Sequence, residues 1–202
     1  NNNSLFIMGN LTDLFPAATS NNILEVLTGT CDGRSVTVDS GTYTLPNVTG
    51  VQNISTSVVD VTGSSIDYVP PEGTKYVSYK FTTKYEASYR GGIIGINVVY
   101  DGTTVTQAAR GFAGNYTGTV SHDSETTINM EFIFDLTVST TDKSAGQILA
   151  SDWTTAKTLK CTARCYSSVY YGRFHGNTYF DGTSASSTAP YVKPQLTITA
   201  YS

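Results

Sequence analysis

The densest run of chemically versatile side chains in the chain is "GRFHGNTYFDG", residues 172–182. In a β-strand every second residue points to the same face. The polar residues that would share one face here are Arg173, His175, Asn177, Tyr179 and Asp181. The simplest interpretation is the outward face of a strand that ends in an Asp-Gly turn. The alternatives are a patch that hydrogen-bonds a glycan and stacks a tyrosine ring on it, and a contact between subunits.

Catalytic motifs are missing from the sequence. The two histidines, His122 in "TVSHDSETT" and His175, are far apart in the chain, and His122 sits in a polar stretch typical of a solvated loop. The sequence contains no Gly-x-Ser-x-Gly, His-Glu-x-x-His, Walker loop or Cys-x-x-Cys. Asp32, Asp101 and Asp181 each precede a glycine, which is a turn signal first. We therefore expect no enzymatic activity, no cofactor and no metal ion.

The three cysteines do not form a disulfide framework. Cys161 and Cys165 share a face of an alternating segment, and they would lie roughly 13 Å apart along a strand, too far to bond to each other. Buried free thiols are the favoured interpretation. A bridge from Cys31 to either of them is the alternative.

Several Asn-x-Ser/Thr triplets are candidate N-glycosylation sites. They begin at Asn2, Asn10, Asn47, Asn53 and Asn115. A chain this rich in Asn, Ser and Thr contains some of them by chance. They matter only if the protein is made in a pathway that glycosylates it.

The composition indicates an extracellular or virion-exposed protein. Charged residues are 14% of the chain, against roughly 25% in an average soluble domain. The net charge is −4 and the basic residues are scattered, so we expect no nucleic-acid binding. Apolar runs such as residues 92–96 are too short to span a bilayer, so we expect no membrane insertion. The chain begins with Asn rather than Met and shows no signal peptide, which suggests a processed piece of a longer protein.

Period-two alternation of apolar and polar residues runs through most of the chain. It is longest in "TKYVSYKFTTKYEASYR" and "TTINMEFIFDLTVST", which predict two long strands with one buried face each. Asp101-Gly102 is the preferred turn of a β-hairpin. Further predicted strands cover residues 23–28, 35–39, 57–61, 65–69, 93–100, 103–109, 170–180 and 195–201, besides the strand that carries Cys161 and Cys165.

The predicted fold is all-β, an antiparallel two-sheet sandwich of about ten strands, with the jelly roll as the leading topology and no significant helix. Residues 142–156 could hold one helical turn but fit a loop better. Residues 1–20, a polar leader with two apolar spots, are predicted to form an arm or linker. Residues 21–202 are predicted to form one domain.

The order of several segments resembles β-sandwich domains in structural and fibre proteins of marine phages and large algal DNA viruses. The segments are "NNILEVLTG", "SVVDVTGSSIDYVPPEGTKYVSYKFTTKYE", "TLKCTARCYSS", "RFHGNTYFDG" and "PQLTITAYS". The resemblance implies a virion component such as a fibre or spike head or a minor capsid protein, often trimeric. It assigns no receptor-binding residue, and the cysteines and sequons are not part of it.

We therefore expect a non-enzymatic viral attachment domain on the virion surface, acting as a homotrimer that contacts other virion proteins and a host cell-surface glycan. Fourteen tyrosines in the chain suit an interaction surface. A purely architectural capsid or cement protein is the first alternative. A secreted carbohydrate-binding module, monomeric and with an aromatic groove or bound Ca²⁺, is the second.

Overall fold

The computed structural model describes residues 22–87, 92–113, 124–169, 172–177 and 191–202. Thirteen strands lie within these ranges, and all their pairings are antiparallel. The all-β prediction is confirmed. The division into an arm at 1–20 and a domain at 21–202 stays a prediction.

The first sheet is centred on a long strand, β7 (Tyr76–Ala87). One side of β7 pairs along its whole length with β10 (Ser124–Asp135). The other side pairs first with β13 (Gln195–Tyr201), which in turn pairs with β1 (Ile23–Thr30). Beyond β13, the same side of β7 pairs with the short β12 (Gly172–Phe174), whose outer neighbour is β4 (Gln52–Asn53).

The second sheet has β11 (Lys157–Cys165) and β8 (Ile93–Tyr100) at its centre. β8 also pairs with β9 (Thr103–Ala113) through the turn at Asp101 and Gly102, as the sequence predicted. The free side of β11 pairs with two short strands, β5 (Val59–Asp60) and β6 (Ile66–Tyr68).

The strand order is that of a jelly roll. With β5 and β6 counted as one strand, the sandwich has eight main positions along the chain. The first pairs with the eighth, the second with the seventh, the third with the sixth and the fourth with the fifth. The corresponding strand pairs are β1 with β13, β5/β6 with β11, β7 with β10, and β8 with β9. The cross-pairs β13–β7 and β11–β8 complete one sheet of positions 1-8-3-6 and one of 2-7-4-5. Two interleaved Greek keys of this kind define the jelly roll, so the predicted topology is confirmed.

Three details differ from the sequence-based expectations. β2 (Ser35–Val38) lies within the strand predicted at residues 35–39, but its hairpin partner β3 (Gly41–Thr44) and the short β4 were not predicted. Segments of two to four residues carry too little alternation to be recognised. The strand predicted at residues 170–180 is confined to β12 within the described range. Residues 142–156 contain two short 3-10 turns, Lys143–Ala145 and Ala150–Trp153.

The core lies between the two sheets and is rich in aromatic rings. Trp153 closes one end of the sandwich and is 1% exposed. Its ring meets Tyr100 at 4.7 Å, Phe134 at 5.6 Å and Tyr68 at 6.4 Å, all edge-on, and its indole N–H donates to the Tyr68 carbonyl at 2.9 Å. No helix in the described ranges is long and apolar enough to cross a membrane.

The three cysteines are free and buried, which confirms the favoured interpretation over a disulfide. Burial raises the pKa of Cys31 and of Cys161 to about 12. Both thiols are therefore protonated at neutral pH and act as small apolar groups in the core.

Candidate functional site

Residues 172–177, the described part of "GRFHGNTYFDG", lie where β12 meets the end of β7. The register places Arg173 between Glu86 of β7 and Asn53 of β4. Paired residues of neighbouring strands point to the same face of a sheet. Since Phe174 and its partner Tyr85 face the core, Arg173 and Glu86 lie on the outer face of the first sheet.

Arg173 and Glu86 form a two-pronged ion pair. Arg173 Nε donates to Glu86 Oε2 at 3.0 Å, and Nη2 donates to Oε1 at 2.8 Å. The Glu86 side chain is 4% exposed and that of Arg173 is 23% exposed. Because this carboxylate is withdrawn from water, the parallel hydrogen bonds from the guanidinium compensate its lost hydration. The pair fixes β12 against β7.

His175 does not lie on an outward strand face, contrary to the predicted alternation. Its backbone has a φ of +68°, which turns the chain out of the strand directly after Phe174. The imidazole is fully buried, and its Nδ1 lies 2.8 Å from Thr83 Oγ1. Burial lowers the pKa of His175 to about 4, with a backbone group of Thr62 acting weakly in the opposite direction. A neutral, interior histidine of this kind cannot reach a surface ligand in this conformation.

Gly176 and Asn177 continue the same internal packing. A side chain at Gly176 would place its Cβ 2.4 Å from Glu86 Oε2, so only glycine fits beside the ion pair. Asn177 is 9% exposed and its Oδ1 accepts from Lys84 Nζ. Lys84 also donates to Glu125 of β10 at 2.5 Å. These contacts join the segment after β12 to β7 and β10 through polar side chains.

The arrangement is an internally paired polar cluster rather than a set of groups aimed at a substrate. The guanidinium of Arg173 is held by Glu86, His175 is held by Thr83, and Asn177 is held by Lys84. Tyr179 and Asp181, like His122, lie outside the described residues. Glycan or subunit contact by the five residues stays a prediction.

Two of the five candidate glycosylation sites lie among the described residues. Asn47 and Asn53 are exposed, which an acceptor asparagine requires. Lys193 Nζ donates to Asn47 Oδ1 at 3.0 Å, and Asn53 lies in β4 opposite Arg173. Asn2, Asn10 and Asn115 lie outside the described residues. Glycosylation at any of the five stays a prediction.

Sequence reasoning missed a second polar cluster, which is built on Glu25. This carboxylate is 6% exposed and lies in a core-facing row of the first sheet, beside Ala200 and Val77. It accepts from the Tyr68 hydroxyl at 2.6 Å, from Ser40 N–H at 2.9 Å and from Ser40 Oγ at 2.7 Å. The signal was a charged residue at an inward position of "ILEVLTGT".

Four exposed apolar residues lie on the outer face of the first sheet, and we call them the outer apolar row. Its members are Ile23, Val26, Tyr76 and Ile133, which are 59%, 41%, 39% and 56% exposed. The register connects Val26 to Ile133 through Thr199 and Ser78, which are polar and buried, one residue on each intervening strand. Ile23 and Tyr76 lie in a second line across the strands, on either side of Tyr201. The four residues therefore share one face of the sheet, with polar positions between them.

The sequence matches no family model and none of the curated proteins. Among solved structures it is similar to the structure of infectious bursal disease virus, Gx strain, with 14% identity and a TM-score of 0.32 over 88% of this chain and 36% of that chain. It is also similar to T=1 particles derived from infectious bursal virus, with 11% identity and a TM-score of 0.27 over 82% of this chain and 43% of that chain. The chain thus spans less than half of the length of either structure's chain. Identities and TM-scores at this level place it in no family.

Proposed function

We propose that this protein is a non-enzymatic structural subunit of a virus particle, and that it forms a homotrimeric attachment head on the virion surface. The observation that carries the proposal is the outer apolar row on a jelly-roll sheet. Jelly rolls occur in viral capsid and lectin domains, and that link between fold and function is an analogy.

The outer apolar row supports association with other protein surfaces. Single exposed apolar residues are common in monomers, but several on one face of a sheet favour an interaction site. The row lies on the outer face of four hydrogen-bonded strands, β1, β13, β7 and β10. The face of a sheet suits packing against a symmetric copy better than enclosing a sugar.

The sheet edges support the same conclusion. Within the described residues, β7 is the only strand that pairs with β10, and β8 is the only strand that pairs with β9. The end of β10 is also bridged at Asp135 by Gln147, but the rest of each strand presents an edge with backbone groups directed outward. Exposed edges favour pairing with another chain unless they are covered. In a homotrimer, neighbouring subunits or other virion proteins would cover them.

The attachment role rests on multivalency. Three copies of a weak glycan site on one head would bind a cell surface far more tightly than one copy. Arg173, His175 and Asn177 are engaged internally in the described structure, so the glycan contact would be formed by other residues of the same end of the sandwich or by the assembled trimer.

The oligomeric state is the decisive test. The chain is measured by size-exclusion chromatography with light scattering across a concentration series, beside Ile133→Lys and its matched control Asn129→Lys. Both positions are exposed on the outward face of β10, but only Ile133 belongs to the outer apolar row. We expect a trimer that Ile133→Lys dissociates and Asn129→Lys leaves intact. A chain that stays monomeric at every concentration would contradict the proposal and favour a secreted carbohydrate-binding module.

A glycan array probed with the trimer separates the two viral roles. Binding to a defined glycan class supports attachment. A trimer that binds no glycan but assembles with other particle proteins would contradict the attachment role and leave the architectural one.

A further inference from the structure

A cleft of about 440 Å³ opens at the end of the sandwich that Trp153 closes. It lies between the loop that leads into β7 and the segment after β10. Its apolar lining residues are Val69, Pro70, Pro71, Leu136, Ala150 and Trp153. A cleft of this size and character falls in the range of sites that hold apolar groups, which is about 300–1,000 Å³.

The chain enters the sandwich beside this cleft. The carbonyl of Asn22, just before β1, accepts from Ser202 N–H at 3.0 Å. The carbonyl of the adjacent Tyr201 accepts from Lys75 N–H at 2.7 Å, and Lys75 follows the lining residue Thr74. The carbonyl of Lys75 in turn accepts from the N–H of Leu136, another lining residue, at 2.7 Å. Asn22 is thus separated from the cleft by about two strand spacings, roughly 10 Å.

The residues before Asn22 include an apolar triplet at a matching distance. Leu14, Phe15 and Pro16 are the apolar centre of residues 9–20, in which Asp13 is the only charged residue. Phe15 precedes Asn22 by seven residues, and seven extended residues span at most about 25 Å. The second apolar spot, residues 5–8, is twice as far along the chain and is not restricted to this end.

We propose that Leu14, Phe15 and Pro16 dock in this cleft of their own chain, with the Phe15 ring over the Trp153 end. The triplet matches the cleft in apolar character, and its attachment point lies beside the rim. Docking of this kind is intramolecular and does not depend on the proposed function, because it needs neither a second copy nor a glycan.

Hydrogen exchange on the 202-residue chain tests the docking. The reporters are the amides of Thr74, which lines the cleft, and of Asp152, which lies between the lining residues Ser151 and Trp153; they donate to the carbonyls of Pro71 and Leu149. In Phe15→Ser we expect both amides to exchange about tenfold faster, since burying an aromatic side chain is worth at least that factor. The matched control Phe6→Ser should leave them unchanged, as should the core amide of Cys161 in either variant. Equal exchange in wild type and Phe15→Ser would overturn the proposal.

A blocked cleft provides the second arm of the test. Ala150 is exposed at the cleft, so Ala150→Arg introduces a charge there without touching the core. If the triplet docks, Phe15→Ser should have no further effect on the two amides in the Ala150→Arg background. Additive effects of the two substitutions would show that the sites act independently and would contradict docking.

The single tryptophan gives an optical readout of the same event. Trp153 lines the cleft, and the chain has no other tryptophan to obscure its emission. A peptide of residues 9–20 added to Phe15→Ser should return the emission maximum of Trp153 to the wild-type value, because docking changes the polarity beside the ring, and a Phe15→Ser peptide should not. An emission maximum of the wild type that changes as protein concentration rises would indicate exchange of the segment between chains and would overturn docking within one chain.

Discussion

The Nδ1 atom of His175 lies 2.8 Å from the hydroxyl oxygen of Thr83, and both side chains are buried. This contact fixes the chain at the point where β12 ends and the backbone turns into the left-handed region. It gives the histidine a structural role, since the ring is an interior link between β7 and the segment after β12.

The buried histidine should make the stability of the fold dependent on pH. The pKa of His175 is about 4 in the folded chain, and that of an unfolded histidine is about 6.5. Between these values the unfolded chain binds a proton that the folded chain does not bind. The contribution of the neutral histidine to the free energy of unfolding is therefore fully present above about pH 6.5. It is lost as the pH falls towards 4, and the total loss reaches roughly 3 kcal/mol.

His175→Asn tests this dependence, because asparagine tolerates a positive φ and does not titrate. We expect the loss of unfolding free energy between about pH 7 and pH 4.5, measured by urea denaturation, to be smaller in the variant by about 2 kcal/mol. His122→Asn, which removes the other histidine, should retain the full loss. Identical pH profiles for wild type and His175→Asn would rule out His175 as the source.

Removing the guanidinium from the outer face should destabilise the fold through Glu86. Arg173→Met keeps the apolar stem but loses both hydrogen bonds to this nearly buried carboxylate. We expect a cost of about 3 kcal/mol in urea denaturation. Arg164, an exposed arginine of β11, provides the control, and Arg164→Met should change stability by less than about 0.5 kcal/mol. The double variant Arg173→Met/Glu86→Gln should cost less than the sum of its parts, and strict additivity would contradict a direct coupling.

The sequence predicted the parts of this fold that depend on local alternation. β7 and β10 are long enough for period two to show, and Asp101-Gly102 specifies its hairpin chemically. About ten antiparallel strands without a helix layer favoured a two-sheet sandwich, with the jelly roll as the leading topology.

The site could not be derived in the same way. The alternation through residues 172–182 fails at His175, because a single left-handed residue shifts the following side chains to other faces. Glu86 lies at an outward position and is still buried, since Arg173 and Gly176 of a segment distant in sequence cover it. Burial of this kind depends on which strands become neighbours, which no local pattern records.

Two buried tyrosines should respond oppositely to loss of the hydroxyl. Tyr85 Oη is buried and has no hydrogen-bond partner among the described residues, whereas Tyr79 Oη donates to the Ser64 carbonyl at 2.7 Å. Tyr85→Phe should leave stability unchanged or raise it, because it removes an unsatisfied buried group. Tyr79→Phe should cost about 1.5 kcal/mol, because it leaves a buried carbonyl without this donor. Thermal and urea unfolding of the two variants measure the difference, and a larger loss for Tyr85→Phe would show that its hydroxyl is engaged.

The Glu25 cluster should be the most sensitive polar position in the core. Glu25→Ala removes the acceptor of three hydrogen bonds from Tyr68 and Ser40 in the interior of the first sheet. We expect a loss of about 3 kcal/mol or more in urea denaturation, because these donors are left in a region with little water.

The matched control is Glu131→Ala. Glu131 is exposed, and its ion pair with Lys80 at 3.8 Å is a surface contact, so we expect a change within about 0.5 kcal/mol. Tyr68→Phe removes one of the three donors and should cost about 1.5 kcal/mol. In the double variant Glu25→Ala/Tyr68→Phe, the cost should fall below the sum of the single losses, because both remove the same bond. If Glu25→Ala were no more destabilising than Glu131→Ala, the cluster would contribute nothing to the fold.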